Sequence, residues 1–126
     1  MAITIKSDQL AAAVNNILLE YGDEAKEILE DTISKTAKDA TKQLKTAGSF
    51  GGTGKYKKGW SSRIEKKRVA VEAVVYNSAA PGLAHLLEFG HAKQNGGRTQ
   101  AFTHIAPIND QVQEDVVRRL EERLGR

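Results

Sequence analysis

WSSRIEKKRVAVEAVVYN, residues 60–77, decides the kind of fold open to this chain. Trp60, Ser62 and Ile64 would share one face of a strand. Residues 65–68 read as a turn. Beyond it Val69, Val71, Ala73 and Val75 alternate with Ala70, Glu72, Val74 and Tyr76. Alternation on both sides of a polar break is the pattern of two antiparallel strands. A lone hairpin is marginal in water, so this one must lean on a helix or join a larger sheet.

The segment upstream has a different period. From Leu10 the apolar positions are Leu10, Val14, Ile17, Leu18, Tyr21, Ala25, Ile28, Leu29, Ile33, Ala37, Ala40 and Leu44. Steps of three and four predict one amphipathic helix that ends near Ala47 and Gly48. Ser7 or Asp8 is the expected cap. Such a helix would be roughly 58 Å long at about 1.5 Å per residue. A compact chain of this size has a radius of gyration of only about 14 Å. Either the helix breaks near Gly22 or part of its stripe packs on another subunit; the second is the expectation. Ahead of it, AITIK alternates Ile3 and Ile5, which suits a short strand or arm.

Downstream, NSAAPG reads as a turn, with Pro81 suited to a helix start. Residues 82–89 form a short helix that Gly90 ends, and Leu86, Leu87 and Phe89 look like its core anchors. HAKQNGGRTQ is a loop, and AFTHIAP extends as another strand. Thr103 or His104 leads into a last helix with Pro107 in its first turn and Ile108, Val112, Val116, Val117, Leu120 and Leu124 on its apolar face. The expected order is β-α-β-β-α-β-α. That is an α+β domain, with a long N-terminal helix and a C-terminal helix packed on a small antiparallel sheet. At 126 residues the chain is one domain, 1–126. Its Gly- and Lys-rich loop, 48–59, should be flexible and order on assembly.

Composition removes several chemistries. There is no cysteine, so disulfides and thiolate sites are excluded. No apolar run reaches the roughly 20 residues of a membrane span, and the N-terminus has no signal-peptide pattern. The expectation is a soluble intracellular product with no membrane partner. Net charge is +3, and its distribution is uneven. Residues 48–68 hold 7 basic side chains and 1 acidic, whereas residues 1–47 hold 6 and 8.

Three constellations invite a chemical reading. His85, Glu88 and His91 are spaced like metal ligands or an acid–base pair. However, zinc-protease helices place two His four apart with Glu directly after the first. Here the order differs, and Gly90 separates His91 from the helix. Hydrogen bonding near the hairpin by His85 and Glu88 is the plainer expectation. The Gly-rich loop fails as a phosphate-binding P-loop, because Ser49 stands where its first glycine belongs and Tyr56 follows Lys55. The third constellation is basic: Lys55, Lys57, Lys58, Arg63, Lys66, Lys67 and Arg68, interleaved with Tyr56 and Trp60. Cations neutralise phosphates and aromatics stack on bases, so a small non-sequence-specific nucleic-acid-binding module is one reading. Charges that merely solvate a strand edge are the other. No enzyme, metal or cofactor is expected.

YKKGW after a long helix, VVYN closing the hairpin, HLLEFGHAKQNGGR, and HIAPINDQVQEDVVRRLEERL occur in that order. Together they resemble the gene-product-ten family of lambda-like tailed bacteriophages, over roughly residues 10–124. Thr103 departs from the proline expected before His104. The resemblance implies a virion structural protein acting in head–tail joining or tail completion. It implies a ring, hexameric in the particle, between connector and tail proteins around the path of the genome. Such a protein would be made in the bacterial host cytoplasm. Tyr76, Asn77, His85, Glu88, Phe89, Gly90, His91, His104 and Pro107 would be its fold signature. The basic segment would face DNA or serve assembly, and Lys93, Gln94, Asn95 and Arg98 would touch a neighbouring virion protein.

Overall fold

The computed structural model describes residues 2–7, 20, 22–48, 54–67 and 70–124. Among these residues the elements are β1 (Ile3–Lys6), α1 (Asp23–Lys45), a helical turn α2 (Lys55–Lys58), β2 (Trp60–Lys66), β3 (Val71–Asn77), α3 (Pro81–Phe89) and α4 (Ile105–Arg123). The fold is α+β.

The hairpin forms with the expected faces. Trp60 pairs with Asn77, Ser62 with Val75 and Ile64 with Ala73. It does join a larger sheet: β1 pairs antiparallel with β3, Ile3 opposite Val75 and Ile5 opposite Ala73, giving the order β1-β3-β2. Placing β3 in the centre explains its apolar richness, since Val74 on its other face is buried too. The turn is tied by Lys67 N–H donating to the Ala70 carbonyl at 2.8 Å. Ser7 ties the sheet, and the backbone it was expected to cap lies outside the described residues. The buried Ser7 hydroxyl accepts the Val71 N–H at 2.9 Å, extending the β1–β3 contact. Asp8 and the helical stripe from Leu10 to Leu18, with Tyr21, lie outside the described residues.

One face of the sheet is covered by helices. α1 packs on β2 and β3, and α4 packs on α1 and β1. The stripe Ala25, Leu29, Ile33, Ala37, Ala40 and Leu44 is buried, as its spacing predicts, and meets Val112, Val116 and Leu120 of α4. Polar ties cross the same seam: Arg119 donates to Thr36 Oγ1 at 3.1 Å and pairs with Asp39 at 2.5 Å, and Arg123 pairs with Asp31. The expected single helix is interrupted at Gly22: Glu20 is helical, and the rest of the stripe before it lies outside the described residues. Gly22 has φ +63°, and regular helix begins after it with Lys26 N–H donating to the Gly22 carbonyl at 3.1 Å.

The expected strand at 101–107 does not form. Residues 99–104 are irregular and α4 begins at Ile105. The only pairing nearby among the described residues is a bridge between Ala92 and Arg98. Backbone donors in this stretch are satisfied elsewhere, as with Phe102 N–H, which donates to the Leu87 carbonyl at 2.7 Å.

Ile33 is wholly buried at the centre of the α1–sheet contact. Ile33→Ala is expected to lower unfolding free energy by about 2–5 kcal/mol, measured by urea denaturation.

Candidate functional site: a buried carboxylate beneath an exposed apolar helix

The first turn of α4 has no side-chain cap of its own. Its leading N–H groups would be orphaned in the interior, at the positive end of the helix dipole. Glu88, on α3, supplies the missing acceptors. Oε1 accepts from His104 N–H and Ile105 N–H, both at 2.8 Å, and Oε2 accepts from Ala106 N–H at 2.9 Å. The residue is 1% exposed. Burial pushes the Glu88 carboxyl up. The three backbone donors and then the neighbouring His104 outweigh that and hold it below the ordinary glutamate range.

A chain of contacts runs on from this carboxylate. His104 Nδ1 lies 2.6 Å from the Phe102 carbonyl and 3.0 Å from Glu88 Oε1, so Nδ1 carries a hydrogen. In the neutral ring Nε2 then accepts from the Tyr56 hydroxyl, 2.6 Å away. Burial, then the negative charge of Glu88, push the Tyr56 phenol up, which keeps it a donor. The Tyr56 carbonyl accepts from Asn77 Nδ2 at 2.7 Å, and Asn77 Oδ1 accepts from Ala79 N–H at 3.2 Å and Ala80 N–H at 2.9 Å. Tyr56, Trp60 and His104 pack edge to face, with centroids 5.6–6.2 Å apart. Three segments of the expected fold signature, at Asn77, Glu88 and His104, thus meet Tyr56 and Trp60 in one buried cluster.

Gly90 makes the turn that follows α3. It has φ +71° and ψ 174°, and a Cβ there would sit 2.6 Å from the Thr99 carbonyl oxygen. Both the backbone conformation and the close approach require glycine. The loop beyond folds back on itself. His91 N–H donates to Thr99 Oγ1 at 2.9 Å, Thr99 N–H donates to the His91 carbonyl at 2.8 Å, and Lys93 N–H donates to the Gly97 carbonyl at 3.0 Å. Lys93, Gln94, Asn95 and Arg98 are all exposed on this small hairpin.

The constellation His85, Glu88 and His91 does not converge. Glu88 points inward, whereas His85 is exposed against the Phe89 ring and His91 is exposed beside Thr99. Nor is the expected anchoring face correct. Ala84 and Glu88 are the buried residues of α3. Leu87 is only partly buried, and Leu86 and Phe89 are exposed, Phe89 to 53%. The free energy of capping α4 with an anion decides which side of α3 faces in.

The basic segment also divides. Tyr56 and Trp60 are core residues, 1% and 2% exposed. They therefore have no face on which a base can stack, and that part of the nucleic-acid expectation is corrected. Arg63 pairs with Glu65 at 3.5 Å and lies 5.2 Å over the Tyr76 ring. Lys66 pairs with Glu30 at 3.3 Å and Lys67 with Glu72 at 3.5 Å. Arg68 and residues 49–53 lie outside the described residues. Lys55 and Lys58 are exposed on the α2 turn and Lys57 is half-buried; among the described residues none of the three has an ion-pair partner.

Sequence reading missed the outward stripe of Leu83, Leu86 and Phe89 on α3. One signal was available. Glu88 is the only carboxylate between Glu72 and Asp110, which made it the nearest anionic cap in sequence for a helix opening at His104.

These features describe a small α+β domain whose buried polar cluster holds its own main chain together. A family model described as "Bacteriophage HK97-gp10, putative tail-component" matches residues 9–90. The chain belongs to this family of phage tail components, and as such works in contact with other phage structural proteins. No curated protein and no solved structure matches it. Among the described residues no helix is long and apolar enough to cross a membrane.

Glu88→Gln, which keeps shape but loses the anion, is expected to cost about 2–4 kcal/mol of stability. The pH dependence follows from the lowered carboxyl pKa. A depressed folded-state value contributes stability above the unfolded value of about 4.3, and the contribution is lost as pH falls through the folded value. The gap between wild type and Glu88→Gln should therefore be full at neutral pH and close below about pH 4, as read by denaturant titrations across pH. Gly90→Ala should be at least as damaging as Glu88→Gln in the same assay.

Proposed function

We propose that the chain acts in head–tail joining or tail completion. It would assemble as a ring, hexameric in the particle, between connector and tail proteins. It would reside in the virion after synthesis in the host cytoplasm, without enzymatic activity of its own. The observation that carries this reading is the division of labour around α3. Glu88, His104, Tyr56 and Asn77 are buried and spent on holding main chain, while the large exposed apolar side chains sit on the outer surface above them. Polar groups consumed by architecture and apolar groups offered to solvent suit a part that works by contact. Membership in a tail-component family supports the same conclusion. Removing the gene from the phage that encodes this chain should leave filled heads and separate tails by electron microscopy, restored by supplying the chain. Normal joined particles without it would contradict the reading.

The α2 turn favours one additional role. Lys55, Lys57 and Lys58 project from a turn that buried Tyr56 anchors, and a fixed cationic turn suits non-specific contact with passing DNA. Changing all three to Ala should weaken binding of duplex DNA and lower the slope of log K against log salt by about 2–3, in titrations across salt. An unchanged slope removes the DNA role and leaves the joining role standing.

A further inference from the structure

Three of the four large apolar side chains left exposed among the described residues, Leu83, Leu86 and Phe89, lie on α3. The three on α3 are three residues apart, which makes neighbours of them on a helix surface. α3 cannot roll to hide them, because Glu88 is fixed beneath. The chain segment that carries this face is poor in acid. The only carboxylate between Glu72 and Asp110 is the buried Glu88. The exposed hairpin beyond α3 carries Lys93 and Arg98.

The first turns of α1 are the electrostatic opposite. Asp23, Glu24 and Glu27 are exposed there and, among the described residues, none is in an ion pair; Lys26 is the one cation between them. Within one copy the two surfaces serve different neighbours: α3 packs on β3, whereas α1 packs on the sheet and α4. We propose that they meet across copies. The apolar face of α3, with its basic hairpin, docks on the acidic first turns of α1 in a second copy of this chain. The two patches differ, so the contact is heterologous and propagates head to tail, closing into a ring where the rotation allows. Complementary charge sets the register, and the apolar stripe supplies the buried area. The proposal rests on the ring reading above and goes further by assigning its two surfaces.

The chain contains no cysteine, so disulfide cross-linking reports only introduced pairs. Full-length Leu86→Cys and Glu27→Cys, prepared separately, are mixed at millimolar concentration under mild oxidation. The mixed 86–27 disulfide should form about tenfold faster than either self-pair, an advantage of about 1.4 kcal/mol. The advantage should shrink in high salt as the charges are screened. Both positions are exposed, and circular dichroism checks that each variant keeps the wild-type fold. A dominant 86–86 product would overturn the proposal in favour of a two-fold contact. Equal rates for all pairs, or no disulfide at all, would overturn it outright. The copy number of the chain in purified particles tests the ring reading separately. Several copies per particle without the 86–27 link would reject these surfaces and keep the ring, whereas a single copy would reject the ring itself.

Discussion

The structure depends on one exchange between an anion and a helix end. The α4 helix begins inside the protein without a capping side chain, and Glu88 sits inside the protein as a carboxylate. Each alone would be costly, since a buried charge needs donors and orphaned N–H groups need acceptors. Three hydrogen bonds from residues 104–106 meet both needs. The rest of the region follows. α3 must present Glu88 inward, Gly90 must turn the chain sharply beneath Thr99, and His104 is placed to take the Tyr56 hydroxyl. Through Tyr56 and Asn77 the same network reaches the α2 turn and the end of β3.

What could be read from the sequence was whatever hydrophobic burial alone controls. The alternation across 60–77 specified the hairpin and its inward face, because a one-residue slip would have put Val71, Ala73 and Val75 in water. The stripe from Ala25 to Leu44 specified α1, and Val112, Val116 and Leu120 specified α4. Reading failed where a polar interaction outweighed apolar pattern. Leu86 and Phe89 look like core residues by type, yet the capping of α4 turned Glu88 and Ala84 inward instead. Tyr56 and Trp60 look like a stacking surface among lysines, but their rings fill the space beside His104. The strand expected at 101–107 had apolar residues and no partner with which to form a ladder; those residues instead lead into the capped helix.

This arrangement separates what keeps the protein folded from what it offers to others. Asn77, Glu88 and His104 of the signature lie inside with Tyr56 and Trp60, whereas His85, Phe89 and His91 lie outside. The outer surface of α3, the hairpin at 91–99 and the first turns of α1 carry the exposed apolar and charged groups. In a tail component such a division has a clear advantage. A rigid interior fixes the angle at which contact surfaces are presented, so neighbouring proteins meet a defined geometry rather than a loop that must first be ordered.

The most direct test of the central claim is the ionisation of Glu88 itself, followed by the carboxyl carbon chemical shift in a pH titration of the folded protein. The account predicts that Glu88 stays ionised through the ordinary glutamate range, near pH about 4.3, and protonates only at more acid pH as α4 loses its cap. Titration of Glu88 at or above that range, with the fold intact, would show that the buried carboxylate does not hold the helix end and would contradict the account.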